Sequence, residues 1–96
     1  MEFVWHPEAV AEADAAAAFY QTQQHELARR FVNHLNEALE RIAFKPAIYR
    51  EVEPGIRKIR LRAFPYAVIY RIRAHRTEII AVMHTRRRPG YWQERT

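Results

Sequence analysis

The stretch IRKIRLRAFPYAVIYRIRAHRTEIIAVMHTRRRPGYW, residues 56–92, decides the reading of this chain. Side chains alternate faces in an extended segment, so Ile59 and Leu61 point one way while Lys58, Arg60 and Arg62 point the other. After Phe64-Pro65-Tyr66 a second run places Val68, Tyr70 and Ile72 on one face and Ile69, Arg71 and Arg73 on the opposite one. His75-Arg76-Thr77 reads as a tight turn. A third run, residues 79–85, is almost wholly apolar and reads as the most buried strand, with His84 facing alongside Ile80 and Val82. The pattern predicts a three-strand meander with one apolar face and one basic face. A cationic tail follows, Arg86-Arg87-Arg88-Pro89-Gly90-Tyr91-Trp92.

Working outward toward the N-terminus, Pro54-Gly55 turns the chain into this meander, and residues 47–55 read as a connector pinned to the core by Ile48 and Tyr49. Before it, Leu27, Phe31, Leu35, Leu39 and Ile42 recur at helical spacing, joined by Ala28, Val32 and Ala38. Glu26/Arg30 and Glu37/Arg41 are i,i+4 pairs on the wet side of that helix. Lys45-Pro46 ends it, because the residue before proline disfavours helical backbone. Residues 9–24 are alanine-rich and helix-forming, with Val10, Ala13, Ala17, Phe19 and Tyr20 as the apolar stripe. Pro7 suits the first helical position, His6 is placed to cap it, and Glu8 and Glu12 lie near the positive end of the helix dipole. A turn near His25 separates the two helices. Residues 2–6 read as a first strand. The order predicts an α+β fold: an N-terminal strand, an antiparallel two-helix hairpin, then a three-strand antiparallel meander, with the helices on one face of the sheet. Residues 1–96 are expected to form a single domain.

Ninety-six residues suffice for one core. There is no cysteine, hence no disulfide framework or thiolate metal site, which fits a reducing cytoplasm. No apolar run approaches the roughly 20 residues of a membrane span. MEFVWHPE has neither a basic n-region nor an apolar h-region, so no signal peptide is expected. Residues 1–55 carry 5 Lys+Arg against 9 Asp+Glu, and residues 56–96 carry 11 against 2, within a net charge of +5. That asymmetry points to a polyanionic or acidic-protein partner for the second half. His6, His25, His34, His75 and His84 lack metal-ligand spacing, so neither metal nor cofactor is expected.

Several residues carry a bland and a functional reading together. Arg60 and Arg62 share a strand face and suit phosphates or carboxylates, whether of a target or of an acidic partner. Arg86, Arg87 and Arg88 form either a solvated run or, with Pro89, Tyr91 and Trp92 beside them, a stiffened contact segment. His84 reads first as a hydrogen-bonded residue of the sheet rim and second as a general base opening towards Arg87 and Tyr91. Phe19, Tyr20, Phe31 and Leu35 read as hairpin core, and any surplus apolar strip there would suit a partner helix.

The ordered set Glu53-Pro54-Gly55-Ile56-Arg57, Lys58-Ile59-Arg60-Leu61-Arg62, Phe64-Pro65-Tyr66-Ala67-Val68-Ile69-Tyr70-Arg71 and Ala81-Val82-Met83-His84-Thr85-Arg86-Arg87, with Pro89, Tyr91 and Trp92 behind it and Trp5-His6-Pro7-Glu8-Ala9 at the start, resembles toxins of the RelE/ParE superfamily from bacterial type II toxin–antitoxin modules. The likeness covers nearly the whole chain. It implies a cytoplasmic, growth-inhibiting toxin of the plasmid-stabilisation type, neutralised by a cognate antitoxin in a heterotetramer or larger complex. The antitoxin would lie over Phe19, Tyr20, Phe31, Leu35, Arg60 and Arg62. Two targets are implied. ParE-like members poison DNA gyrase without hydrolysis; RelE-like members cut messenger RNA on the ribosome. A third alternative is an inactive relative that binds only antitoxin or nucleic acid.

RNA cleavage needs cations to stabilise charge on phosphorus and groups that move protons. By resemblance those would be Lys58, Arg60 and Arg87, with His84 or Tyr91. The arginine that follows the central tyrosine in RelE is here Ala67, and Tyr91 falls short of the position of the C-terminal tyrosine, which is Gln93. The resemblance therefore favours the ParE-like reading, with Arg60, Arg62, Arg86, Arg87, Arg88, Tyr91 and Trp92 contacting the target. Whether the chain is an enzyme stays open at this point.

Overall fold

Residues 2–96 are described by a computed structural model. Strand β1 (Glu2–Trp5) leads into helix α1 (Pro7–Gln23) and helix α2 (His25–Phe44). Strands β2 (Glu51–Glu53), β3 (Ile56–Arg60), β4 (Tyr66–Arg73) and β5 (Arg76–His84) follow. The sheet order is β1-β5-β4-β3-β2, antiparallel throughout except that β1 runs parallel to β5. The α+β architecture is the one expected, with two additions. The first strand finds its place outside β5, and residues 51–53 of the expected connector supply a fifth strand.

Local chemistry explains the element ends. His6 Nδ1 accepts from the Glu8 amide at 3.1 Å, capping α1 as expected, with Pro7 at the first helical position. Gln24 is extended, with φ −167° and ψ 132°, and this single residue separates the helices. The α2 stripe is confirmed in Phe31, Leu35, Ala38 and Ile42, all buried, whereas Val32 is exposed. On α1 the buried positions are Ala9 and Ala16, while Val10 and Phe19 face outward. Small alanines let α1 lie close to both α2 and β5. Glu26 pairs with Arg29 at i,i+3 instead of Arg30, and Glu37 pairs with Arg41 as expected. Tyr49 packs on the core, but Ile48 is exposed.

The helix-side core gathers Phe31, Leu35, Ile42, Ile59, Leu61, Val68, Tyr70, Ile79 and Val82. Tyr70 is fully buried, its hydroxyl donates to the Pro46 carbonyl at 2.6 Å, and burial pushes the phenol up to about 12. Phe64, between β3 and β4, adopts φ +73°, a rare conformation for a bulky residue. It is held there by rings on the helices, Tyr20 at 4.8 Å, Phe31 at 5.6 Å and His34 at 5.8 Å.

Three turn and register details depart from the simple alternation. The β4–β5 turn centres on Ala74 and His75, with φ 52° and 65°, instead of His75-Arg76-Thr77. Two left-handed residues in a two-residue loop match the right-handed twist of a hairpin. Second, Tyr70 pairs with Ile79 but Ile69 pairs with Ala81, so Ile80 is an extra residue in β5. This bulge inverts the alternation beyond it. His84 and Val82 therefore face the helices, while Ile80 belongs to the opposite cluster.

Third, the far face is not an open basic surface. Ile56, Ala67, Ile69, Ile80, Ala81 and Met83 form a second core there, and the C-terminal tail closes it with Trp92, only 3% exposed. Arg71 and Arg73 converge on Glu78 at 2.5 and 3.2 Å, and Arg57 donates to the Tyr49 carbonyl at 2.6 Å. Lys58, half-buried, and Arg60, exposed, remain available at the β3 end. Gly55 turns β2 into β3 at φ +78°, with nothing within 4 Å of the place a Cβ would occupy. Gly55→Ala should thus cost only backbone strain, about 1–2 kcal/mol, read as a lower urea midpoint with unchanged m-value.

Candidate functional site

The C-terminal half of β5 has no strand on its outer side, because β1 ends opposite Ile79. Edge amides and carbonyls there must find other partners. Glu12 on α1 and Arg95 in the tail supply them. The Val82 amide donates to Glu12 Oε1 at 3.0 Å, and Arg95 Nη1 donates to the Ile80 carbonyl at 3.2 Å. Arg95 also forks onto Glu12 at 2.8 and 2.9 Å, and the Tyr91 hydroxyl donates to Glu12 Oε2 at 2.6 Å. One carboxylate thus joins helix, sheet edge and tail. Burial raises the Glu12 pKa, but hydrogen bonds from Arg95, Tyr91 and Val82 outweigh it and hold the carboxyl below its ordinary value. Burial, then the neighbouring Glu12 carboxylate, drives the Tyr91 phenol well above its ordinary range.

Beside this joint opens a cleft of about 320 Å³, floored by Ala15 and Ala16 and walled by Phe19, Tyr66, His84, Arg87 and Tyr91. Arg87 lies over the Tyr91 ring at 3.8 Å, a cation–π contact. His84 stacks edge-on to Tyr66 at 5.1 Å, and its Nδ1 accepts from the Arg86 amide at 3.1 Å. In the neutral ring that bond leaves the proton on Nε2.

The expected nuclease residues gather in two groups that share Arg87: His84, Arg87 and Tyr91 wall the cleft, and Lys58 and Arg87 line a separate hollow on the far side of the sheet. His84 is on the helix side of the sheet, whereas Lys58 and Arg60 share the parity of Ile56 on the far side. The Tyr91 hydroxyl is engaged by Glu12. Ala67 is fully buried in β4, so the position that carries arginine in RelE has no room for one. Among the expected contact residues, Arg60, Arg62, Arg86, Arg87 and Arg88 are exposed, with Arg62 loosely held at 3.6 Å from Glu37. Trp92 is buried beneath the tail and presents no surface. Phe31 at 0% and Leu35 at 7% exposure are helix-hairpin core, leaving Phe19 and part of Tyr20 as the outward aromatic surface of α1.

Sequence reasoning placed Glu12 only near the helix dipole and gave Arg95 no role. A signal existed for Glu12: it lies on the face of Ala9 and Ala16, three residues after the one and four before the other, so its carboxylate had to meet a buried partner.

A two-helix layer against a five-stranded sheet, closed by a basic tail docked on the last strand, makes up the fold, and the match to a toxin family model places the chain among the small toxins of the RelE/ParE superfamily. Within it, the chain belongs to the family described as the ParE toxin of the type II toxin–antitoxin system parDE, whose model matches residues 3–89. In fold it is similar to a chain of a solved structure of the chromosomal ParDE TA system from P. aeruginosa, with a TM-score of 0.73 and 23% identity over 88% of this chain and 95% of that one. A comparison with curated proteins returns no match. Among the described residues no helix is long and apolar enough to cross a membrane.

Proposed function

We propose that this toxin arrests growth by binding and poisoning DNA gyrase, without hydrolytic chemistry of its own, and that a cognate antitoxin silences it. Membership of the ParE toxin family over residues 3–89 carries this reading. The division of the RNA-cleaving set supports it. In-line attack on a phosphate needs cations and proton-transferring groups around one atom. Here the histidine and the basic pair Lys58 and Arg60 lie on opposite faces of the sheet, Arg87 alone reaches towards both, and the tyrosine is locked to a carboxylate. The antitoxin would lie across the helix hairpin, where Phe19 and Val32 are exposed, and reach the exposed arginine Arg62 with an acidic residue.

Induced expression tests the reading. The chain alone is expected to stop growth, and co-expression of its cognate antitoxin should restore growth. Ribosomes programmed with a defined message should yield no new messenger 5′ ends at the A site. Such ends would replace the gyrase reading with ribosome-dependent cleavage.

A further inference from the structure

A second concave feature lies away from the tail, at the outer edge of β3. It is a groove of about 390 Å³ lined by Arg41, Tyr49, Arg50, Lys58, Ile59 and Arg60. Four of these six residues are cationic and none is acidic. The edge exists because β2 is short: Lys58 still donates its amide to the Arg50 carbonyl at 3.0 Å, but beyond it β3 has no strand partner on that side. Arg41 reaches across from α2 and donates to the Arg60 carbonyl at 3.0 Å, with Glu37 held behind it at 3.0 Å. Arg57 grips the Tyr49 carbonyl at 2.6 Å, which fixes the opposite wall. The groove is therefore framed by internal hydrogen bonds. Among the described residues, no carboxylate pairs with Arg50, Lys58 or Arg60. Counting Glu37 against Arg41, three cations remain uncompensated around one concavity.

We propose that this groove binds the phosphodiester backbone of nucleic acid. An acidic polypeptide is the other polyanion such charge could attract. Stable capture of a peptide needs apolar anchors as well as charge. The apolar side chains lining it are Ile59, 3% exposed, and the half-buried Tyr49, and both are already packed on the core. Phosphates need only guanidinium and ammonium donors at a suitable spacing, which the groove offers from a helix, a connector and a strand together. The proposal rests on the groove's charge and not on the gyrase reading, so the two can fail independently.

The test is fluorescence anisotropy of the full chain with a labelled 20-base-pair DNA duplex and, in a parallel arm, a single-stranded RNA of equal length, across a salt series. The expected result is salt-dependent binding. The triple substitution Arg50→Gln, Lys58→Gln, Arg60→Gln should weaken it at least about tenfold at low salt and flatten the log–log salt slope by about 0.9 per cation removed on duplex, and somewhat less on RNA. The control Arg29→Gln, on the exposed face of α2, should change neither by more than about one contact. Because Arg50 and Arg60 are exposed, the single substitutions Arg50→Gln and Arg60→Gln keep the test sharp should the triple variant fold poorly. The stronger of the two arms identifies the nucleic acid. Affinity and slope unchanged by the groove substitutions, or absence of binding at low salt, would overturn the proposal. Loss of antitoxin affinity with nucleic-acid binding intact would assign the groove to an acidic protein segment instead.

Discussion

Replacing Trp92 with alanine is expected to remove about 3–5 kcal/mol of stability, the usual cost of truncating a buried aromatic residue. Against a typical total of roughly 5–15 kcal/mol, that would leave the variant at the margin of folding at 37 °C. The reason is architectural. A sheet with helices on one face must cover its other apolar face or expose it. In this chain the cover is the tail: Trp92 lies on the cluster of Ile56, Ala67, Ile69, Ile80, Ala81 and Met83. Tyr91 is bonded to Glu12, and Gln93 donates to Glu53, tying the tail to both ends of the surface it covers. Truncation at Trp92 should uncover the whole face, so the urea midpoint should fall and binding of a hydrophobic dye to the native state should rise. A tail merely resting on the sheet would shift the midpoint by less than about 1 kcal/mol, as ordinary surface substitutions do.

The second large effect is at Glu12. Glu12→Ala strips partners from Arg95, from the Tyr91 hydroxyl and from the Val82 amide at once. With the two side chains of the ion pair only 16% and 11% exposed, a loss of about 3 kcal/mol is expected, the low end for an orphaned buried charge. The pH dependence follows. The folded pKa of Glu12 lies below its ordinary value of 4.5, so its contribution is complete above that value and is lost as pH falls through the lower folded one. Glu78, held down first by its hydrogen bond from Arg71, adds in the same direction. Tyr91 acts at the other end. Its pKa is raised on folding, so its contribution is complete below its ordinary value of 10.0 and is lost as pH climbs beyond it. Equilibrium unfolding should thus be most resistant between about pH 5 and 10, and Glu12→Gln should flatten the acid limb. An acid limb unchanged in that variant would remove Glu12 from the account.

Much of the fold is readable from local patterns. The α2 stripe declares its buried face through Phe31, Leu35, Ala38 and Ile42, and His6-Pro7 announces the start of α1. What is not readable depends on events distant in sequence. The bulge at Ile80 adds one residue to β5, which turns His84 towards the helices and defeats any face assignment by strict alternation. The parallel docking of β1 on β5 joins segments some 75 residues apart, and no periodicity reports it. Arginine density between Arg57 and Arg73 suggested an open basic face, yet Arg57, Arg71 and Arg73 are engaged by a carbonyl or by Glu78. Within residues 56–96 the cations without a carboxylate partner are Lys58 and Arg60 at the β3 edge and Arg86, Arg87 and Arg88, where the strands stop. Of the candidate site, the cationic residues are visible in the sequence. The carboxylate that organises the tail around them is visible only as an anomaly on an alanine face.

The most direct test of the functional account is a supercoiling assay with purified gyrase, relaxed plasmid and increasing amounts of the chain. The account predicts that supercoiled product disappears as the toxin approaches gyrase in concentration, that cleaved plasmid accumulates, and that prior addition of the antitoxin prevents both. Undiminished supercoiling at a large molar excess of a chain that still arrests growth would contradict it.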